Sequence, residues 1–159
     1  MPIMRPARIL LALSLGLLAA APAFAVTKTI RIFDKRQIVI AVPEGWKFNL
    51  TKNGDVPVIH LEDRADSVNL DASFFPDADN ELATEEALEA RMRDLFAPVD
   101  AETKFTFTKT SDGVEGHAHL GDETKGIRSW PGVYLVFTIT GDDAKALEIV
   151  TNALREVAK

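Results

Sequence analysis

The chain has 159 residues, with 18 Lys and Arg against 24 Asp and Glu, no cysteine and a formal net charge of −6. This length suits one domain with a hydrophobic core and leaves little room for a second. The acidic balance disfavours nucleic acid and anionic lipid as partners, and the lack of cysteine excludes disulfides, thiolate metal sites, cysteine nucleophiles and the lipid-bearing cysteine of a bacterial lipoprotein.

The first 25 residues have the pattern of a secretory signal peptide. A short n-region with two arginines precedes an apolar run over Ile9–Ala20, and Ala23-Phe24-Ala25 has the small-x-small pattern of a cleavage site. The run is shorter than the roughly 20 residues that span a bilayer, so we expect no membrane anchor. We predict cleavage after Ala25, which leaves a single domain over residues 26–159 with a net charge of −8, because the two arginines are lost. The predicted location is the bacterial periplasm, with full secretion as the alternative.

Alternating apolar and polar residues predict a β-meander in the first half of this domain. A short strand over Thr29–Phe33 comes first, and Pro43-Glu44-Gly45 then favours a hairpin loop closed by a left-handed glycine. That loop predicts three apolar pairs on one face: Val42 with Trp46, Ile40 with Phe48, and Ile38 with Leu50.

A second hairpin is predicted at Asn53-Gly54, because type I′ geometry needs positive φ at both central residues. This turn pairs Lys52 with Asp55. It therefore predicts a further set of apolar pairs on the same face: Leu50 with Pro57, Phe48 with Ile59, and Trp46 with Leu61. The same alternation predicts a fourth strand from Val68 to Phe74.

Helical spacing replaces alternation after residue 76. Thr84 suits the N-cap of a helix over Glu85–Phe96, whose apolar stripe contains Leu88, Met92 and Leu95. A final helix is predicted to begin near Asp142 or Asp143 and to present these residues at helical spacing: Ala146, Ile149, Val150, Ala153, Leu154 and Val157.

Between the two helices the sequence predicts a hairpin, a loop and one more strand. The turn at Asp112-Gly113 pairs Phe107 with Ala118 and Thr108 with His117. The segment Gly121–Pro131 is interpreted as an exposed loop, and Val133–Ile139 as a buried strand. The element order indicates an α+β fold with a mainly antiparallel sheet of about six to seven strands flanked by two helices.

Three parts of the chain resemble the PsbP-like superfamily, which includes the bacterial DcrB-like proteins. They are the strand-turn-strand around Val42-Pro43-Glu44-Gly45-Trp46, the meander to Phe75, and the closing strand and helix over Leu135–Arg155. The resemblance covers nearly the whole chain after the signal peptide and rests on element order and one turn rather than on a chemical motif. It implies an α/β/α sandwich used for binding, assembly or chaperoning of partner proteins, generally without catalysis, and it carries over no catalytic residue.

Glu115, His117 and His119 form the sharpest chemical pattern in the chain. Residues two apart on a strand share a face, so one carboxylate and two imidazoles could ligate zinc or copper, with a fourth ligand such as His60 from elsewhere. The alternative is that they are polar residues on an exposed sheet face opposite two threonines.

The segment Gly121–Pro131 supplies a candidate partner-binding site. Lys125, Arg128 and Trp130 stand among glycines, and a flexible basic and aromatic loop on an acidic protein suits a protein partner. For Trp130 the alternative is a side chain that folds back over the core.

Together these features predict an exported, non-enzymatic binding or adaptor protein of the periplasm that engages a protein partner and needs no cofactor. A metal-binding protein is the main alternative. A less favoured alternative is an envelope hydrolase acting through carboxylates such as Asp71 and Glu62. Neither a nucleophile elbow nor a phosphate-binding glycine loop is found in the sequence, which argues against an enzyme.

Overall fold

The computed structural model describes residues 25–157, so the predicted signal peptide lies outside the described residues except for Ala25. Within this range the chain forms ten strands and two α-helices, which confirms the α+β class and the mainly antiparallel pairing. The strands are β1 (Ala25–Arg31), β2 (Gln37–Pro43), β3 (Lys47–Asn53), β4 (Val56–Glu62), β5 (Val68–Asp77), β6 (Thr106–Lys109), β7 (Val114–Leu120), β8 (Glu123–Trp130), β9 (Gly132–Gly141) and β10 (Leu154–Glu156). The helices are α1 (Glu85–Leu95) and α2 (Asp143–Glu148).

The strands form two antiparallel sheets rather than one. The large sheet has the order β3-β4-β5-β9-β8-β7-β6, and the small sheet has the order β1-β2-β10. We call the side of the large sheet that packs on the small sheet and α2 its inner face, and the side that carries α1 its outer face. The main hydrophobic core lies between the two sheets, and a second core lies under α1.

The predicted pairing of β2 with β3 is wrong, although the turn between them is present. The Trp46 N–H donates to the Pro43 carbonyl at 3.1 Å, and Gly45 has a φ of +82°. The chain passes here from the small sheet to the large one, so Ile38 and Phe48 contact the same core from opposite layers. Alternation indicates which side of a strand is buried, but it does not distinguish strands that pair from strands that pack face to face.

Both remaining hairpins have the predicted faces with a register shifted by two residues. Asn53 pairs with Val56, so Gly54 and Asp55 are the loop residues and Leu50 lies opposite Ile59. In the other hairpin Thr106 pairs with His117. A shift of two keeps each side chain on its face because the side-chain period of a strand is two.

Helix α1 begins as predicted and covers only part of the outer face. The Thr84 hydroxyl accepts the Ala87 N–H at 3.2 Å, and Leu88 and Met92 are buried, whereas Leu95 is exposed, which corrects its place in the apolar stripe. The helix contacts β7 and β8, and Phe75 near the end of β5 packs in the core beneath it. The outer side of β3, of β4 and of the first half of β5 carries mostly exposed polar side chains instead.

The C-terminal segment is not the single helix that the spacing predicts. After α2 the chain makes a π-helical turn at Ile149–Ala153 and then pairs as β10 with β2. Ile149, Val150 and Leu154 are buried as expected, while Val157 is exposed. None of the helices described over residues 25–157 is long and apolar enough to span a membrane.

Candidate functional site

The three candidate metal ligands Glu115, His117 and His119 and the three candidate partner-binding residues Lys125, Arg128 and Trp130 lie on the neighbouring strands β7 and β8. The predicted loop is wrong, because residues 123–130 form an interior strand between β7 and β9. Glu115 lies directly opposite Arg128, and His119 lies opposite Thr124. The candidate metal ligands therefore lie on the inner face together with Arg128 and Trp130. Lys125 points to the outer face, as Ile127 does, and its Nζ lies 2.8 Å from Glu123 Oε2.

Arg128 is the centre of this region and is only 1% exposed. Its Nη1 donates to the carbonyls of Val150 and Leu154, and its Nη2 donates to Asp112 Oδ1 at 2.9 Å. Its guanidinium carbon lies 4.5 Å from the centre of the Trp130 ring. Burial lowers the pKa of Arg128, whereas Asp112 and Glu115 act in the opposite direction. One side chain thus ties β8 to the C-terminal segment.

Glu115 brings a second charge into the same interior. It is also 1% exposed, and its Oε1 lies 2.8 Å from Nδ1 of His117. Three buried polar atoms in this region have no hydrogen-bond partner: Glu115 Oε2, Arg128 Nε and Trp130 Nε1. We call Asp112, Glu115, His117, Arg128 and Trp130 the buried polar cluster. A buried charge that loses its partner destabilises the folded state. Removing one member of this cluster should therefore lower the stability of the protein.

The structure places Arg128 and Trp130 of the predicted partner-binding segment in the core rather than on an exposed loop. Trp130 is 3% exposed and stacks against Phe74, with ring centres 6.4 Å apart. Both side chains point into the core because even-numbered residues of β8 face inward. Neither is available at the surface to a partner.

The three predicted metal ligands do share a face, but they have different partners. His119 is exposed, and its Nδ1 lies 2.8 Å from the Thr124 hydroxyl and 3.3 Å from Asp143 Oδ2 at the start of α2. The ring centres of His117 and His119 are 6.3 Å apart. Across residues 25–157 no group of three or more His, Asp or Glu side chains is close enough together to hold a metal ion.

His60 cannot complete a site with these residues. Ile59 and Leu61 face the inner core, so His60 lies on the outer face of β4. Three strands separate β4 from β7, which places the two strands about 19 Å apart at the usual spacing.

The outer side of β3, of β4 and of the first half of β5 presents a second set of polar groups. We call it the open face and define it by Lys47, Asn49, Thr51, His60, Glu62, Asn69 and Asp71. A shallow cavity of about 400 Å³ lies along it, lined by most of these residues. Lys47 lies 3.2 Å from Asp66 and 3.6 Å from Glu62, and its hydrogen bond and attraction to Asp66 raise its pKa.

Three open-face side chains stand in a row across adjacent strands. Asp71 Oδ1 contacts Nδ1 of His60, and the Thr51 hydroxyl lies 3.4 Å from Nε2 of the same ring. The order hydroxyl, imidazole, carboxylate is that of a nucleophilic triad. Here, however, the side chains of His60 and Asp71 are 46% and 57% exposed, so water competes for each contact. Sequence inspection misses the row, because only the register β3-β4-β5 brings these residues together.

No family model and no curated protein matches the chain.

Proposed function

We propose that this chain is an exported, non-enzymatic binding or adaptor protein of the bacterial periplasm that engages a protein partner. The signal-peptide pattern of the first 25 residues supports the export, and the open face supports the binding. The α+β order of the domain is compatible with a PsbP-like sandwich, which we propose as the fold family.

The observation that carries the proposal is the one-sided coverage of the large sheet. Helix α1 packs over β7 and β8, while the neighbouring half of the same face presents Lys47, Asn49, Asn69 and Asp71 to solvent. Mixed charges and amides around a shallow concavity suit a polar, non-obligate protein interface. Clusters of this kind on a rigid sheet lose little conformational freedom on binding.

The test is capture of partners from cells that express the full chain with a C-terminal tag. Cross-linked material is compared for wild type, for Asp71→Lys on the open face, and for Asp122→Lys, the same charge change in the exposed β7–β8 turn. We expect the same enriched protein from wild type and Asp122→Lys and a large loss from Asp71→Lys. A chain that enriches nothing and instead turns over small-molecule substrates in a hydrolase screen would refute the proposal.

A second candidate function is metal binding at Glu115, His117 and His119. The observation that favours it is the unpartnered Oε2 of Glu115 beside an imidazole that already contacts the same carboxylate. Zinc or copper is titrated against a competing chelator for wild type, for His117→Ala/His119→Ala and for the control His60→Ala. Metal binding predicts a loss of affinity of about tenfold or more in the double variant alone. Equal weak binding by all three proteins would exclude this site.

A further inference from the structure

Two edge strands of the described domain are long enough to pair with another chain. In the large sheet the edges are β3, with seven residues, and β6, with four; in the small sheet they are β1, with seven, and β10, with three. An edge strand presents unpaired N–H and C=O groups that can add a further strand. The two long edge strands, β3 and β1, are therefore the candidates for pairing with another chain.

The backbone groups of β3 that face outward follow from its hairpin. The residues that flank a two-residue loop exchange both hydrogen bonds, so Asn53 and every second residue before it turn their backbone groups toward β4. Phe48, Leu50 and Lys52 consequently turn theirs to the free edge. Leu50 stands at the middle of the strand with a side chain that is 44% exposed.

The geometry points to a second copy of this chain as the partner of β3, paired antiparallel about a twofold axis at Leu50. This register places Leu50 opposite the partner's Leu50, Phe48 opposite the partner's Lys52, and Asn49 opposite the partner's Thr51. An exposed apolar side chain gains an apolar neighbour, an amide meets a hydroxyl, and no like charges lie opposite each other.

This register is favoured over its neighbours by the number of hydrogen bonds. A pair centred on Leu50 uses all seven residues of β3 and forms about six backbone hydrogen bonds between the two copies. A shift by two residues shortens the overlap to five pairs and about four hydrogen bonds. A shift by one is incompatible with a twofold axis, because opposite residues of an antiparallel pair share a face.

The other long edge does not have this self-complementarity. A twofold pair of β1 centred on its middle residue places Lys28 opposite the partner's Lys28, and like charges directly opposite are destabilising. Lysines at an edge commonly protect it from pairing. In β3 the two lysines stand near the strand ends, and in the Leu50-centred register neither lies opposite another cation.

The register can be tested by cross-linking, because the natural chain has no cysteine. Asn49→Cys and Thr51→Cys proteins are prepared separately and oxidised alone and as a mixture. In the Leu50-centred pair a disulfide forms only in the mixture, because residue 49 lies opposite the partner's residue 51 while identical positions are beyond disulfide reach. Disulfide formation by Asn49→Cys alone would contradict the register, since it requires a pair centred on residue 49.

Sedimentation velocity over a concentration series then tests whether the unmodified chain pairs at all. We expect a monomer–dimer equilibrium whose dissociation constant rises about tenfold or more in Leu50→Lys, which places two like charges at the axis. The matched control Val26→Lys, at an exposed apolar residue of β1, leaves the dissociation constant unchanged. A wild type that stays monomeric at every concentration would overturn the inference. That outcome leaves the proposed partner binding untouched, because partner capture is measured separately.

Discussion

The large sheet contains two histidine–carboxylate pairs, one in each half, and they occupy opposite environments. His117 and Glu115 contact each other on the inner face, with side chains that are 13% and 1% exposed, whereas His60 and Asp71 contact each other on the open face. The same residue types are therefore buried on one side and presented to water on the other. Coverage by the flanking layers, rather than residue type, decides whether such a pair holds the fold or remains available to a partner.

The largest effect is expected at the centre of the buried polar cluster. Arg128→Ala removes the bonds to the Val150 and Leu154 carbonyls and the attraction between Arg128 and the buried Glu115. We expect a loss of about 3–5 kcal/mol in the free energy of unfolding, measured by urea denaturation. Lys125→Ala on the same strand should cost less than about 1 kcal/mol, because its ion pair with Glu123 is partly exposed. Equal losses of unfolding free energy in the two variants would contradict the claim that the inner side of β8 stabilises the fold more than its outer side.

The close approach of β7 and β8 gives the next largest effect. A Cβ on Gly126 would lie 2.3 Å from the Gly116 carbonyl oxygen and 2.5 Å from Cζ of Phe137. Gly126→Ala should therefore destabilise the protein by about 1–3 kcal/mol in urea denaturation. An unchanged midpoint would contradict the close packing of Gly126 against Gly116 and Phe137.

The two histidine–carboxylate pairs can be compared directly by double-mutant cycles. For Glu115→Gln with His117→Ala we expect a coupling energy of about 1.5–3 kcal/mol, because both side chains are largely shielded from water. For Asp71→Asn with His60→Ala we expect about 0.2–1 kcal/mol, because water screens the exposed pair. A larger coupling energy for Asp71 and His60 than for Glu115 and His117 would contradict the claim that burial strengthens the inner pair.

Asp63, in the loop between β4 and β5, should make the stability of the protein depend on pH. Asp63 accepts hydrogen bonds from the Ser67 hydroxyl and from the Ser67 and Val68 N–H groups, and these bonds lower its pKa. A lowered pKa in the folded state stabilises the protein above the ordinary pKa of about 3.9, and this contribution is lost as the pH falls through the lowered value. The stability difference between wild type and Asp63→Asn should therefore shrink in urea denaturation as the pH is lowered from about 5 to about 2.5. A difference that stays constant over this range would contradict the role of Asp63.

The smallest expected effect concerns ester hydrolysis by the row Thr51, His60 and Asp71. Because the Thr51–His60 contact is 3.4 Å and the imidazole is half exposed, we expect wild type and Asp71→Asn to hydrolyse p-nitrophenyl acetate at the same rate. A bell-shaped pH–rate profile that Asp71→Asn abolishes would instead support the hydrolase alternative.

Much of the fold could be predicted from local signals, because faces and turns are local properties. Gly45 has the positive φ that its turn requires, and Thr84 caps α1. Gly54 also has positive φ, but the predicted type I′ turn is wrong, because Asn53 pairs with Val56 and lacks the positive φ that this turn needs. The division into two sheets could not be predicted, because the apolar side of β2 packs equally well beside β3 or across from it. The two-residue register shifts were hidden for the same reason, since both registers keep the same buried face.

The candidate site was predicted less well than the fold. Strand alternation placed Glu115, His117 and His119 on one side, but the polar composition of residues 121–131 suggested a loop. An arginine buried against main-chain carbonyls and a glycine needed for close strand packing both resemble loop residues when only their polarity is considered. Thr124, Ile127 and Trp130, which have high strand propensity, were the local signals for β8.

The central claim is that the open face contacts a partner while the buried polar cluster holds the fold. A photo-crosslinking amino acid is introduced in cells at Asn49 and Asn69 on the open face, and at Asp122 and Leu95 on the exposed surface of the covered half. We predict that one protein is cross-linked from both open-face positions and from neither of the others. Cross-links to that protein from Asp122 or Leu95, with none from the open face, would contradict the account.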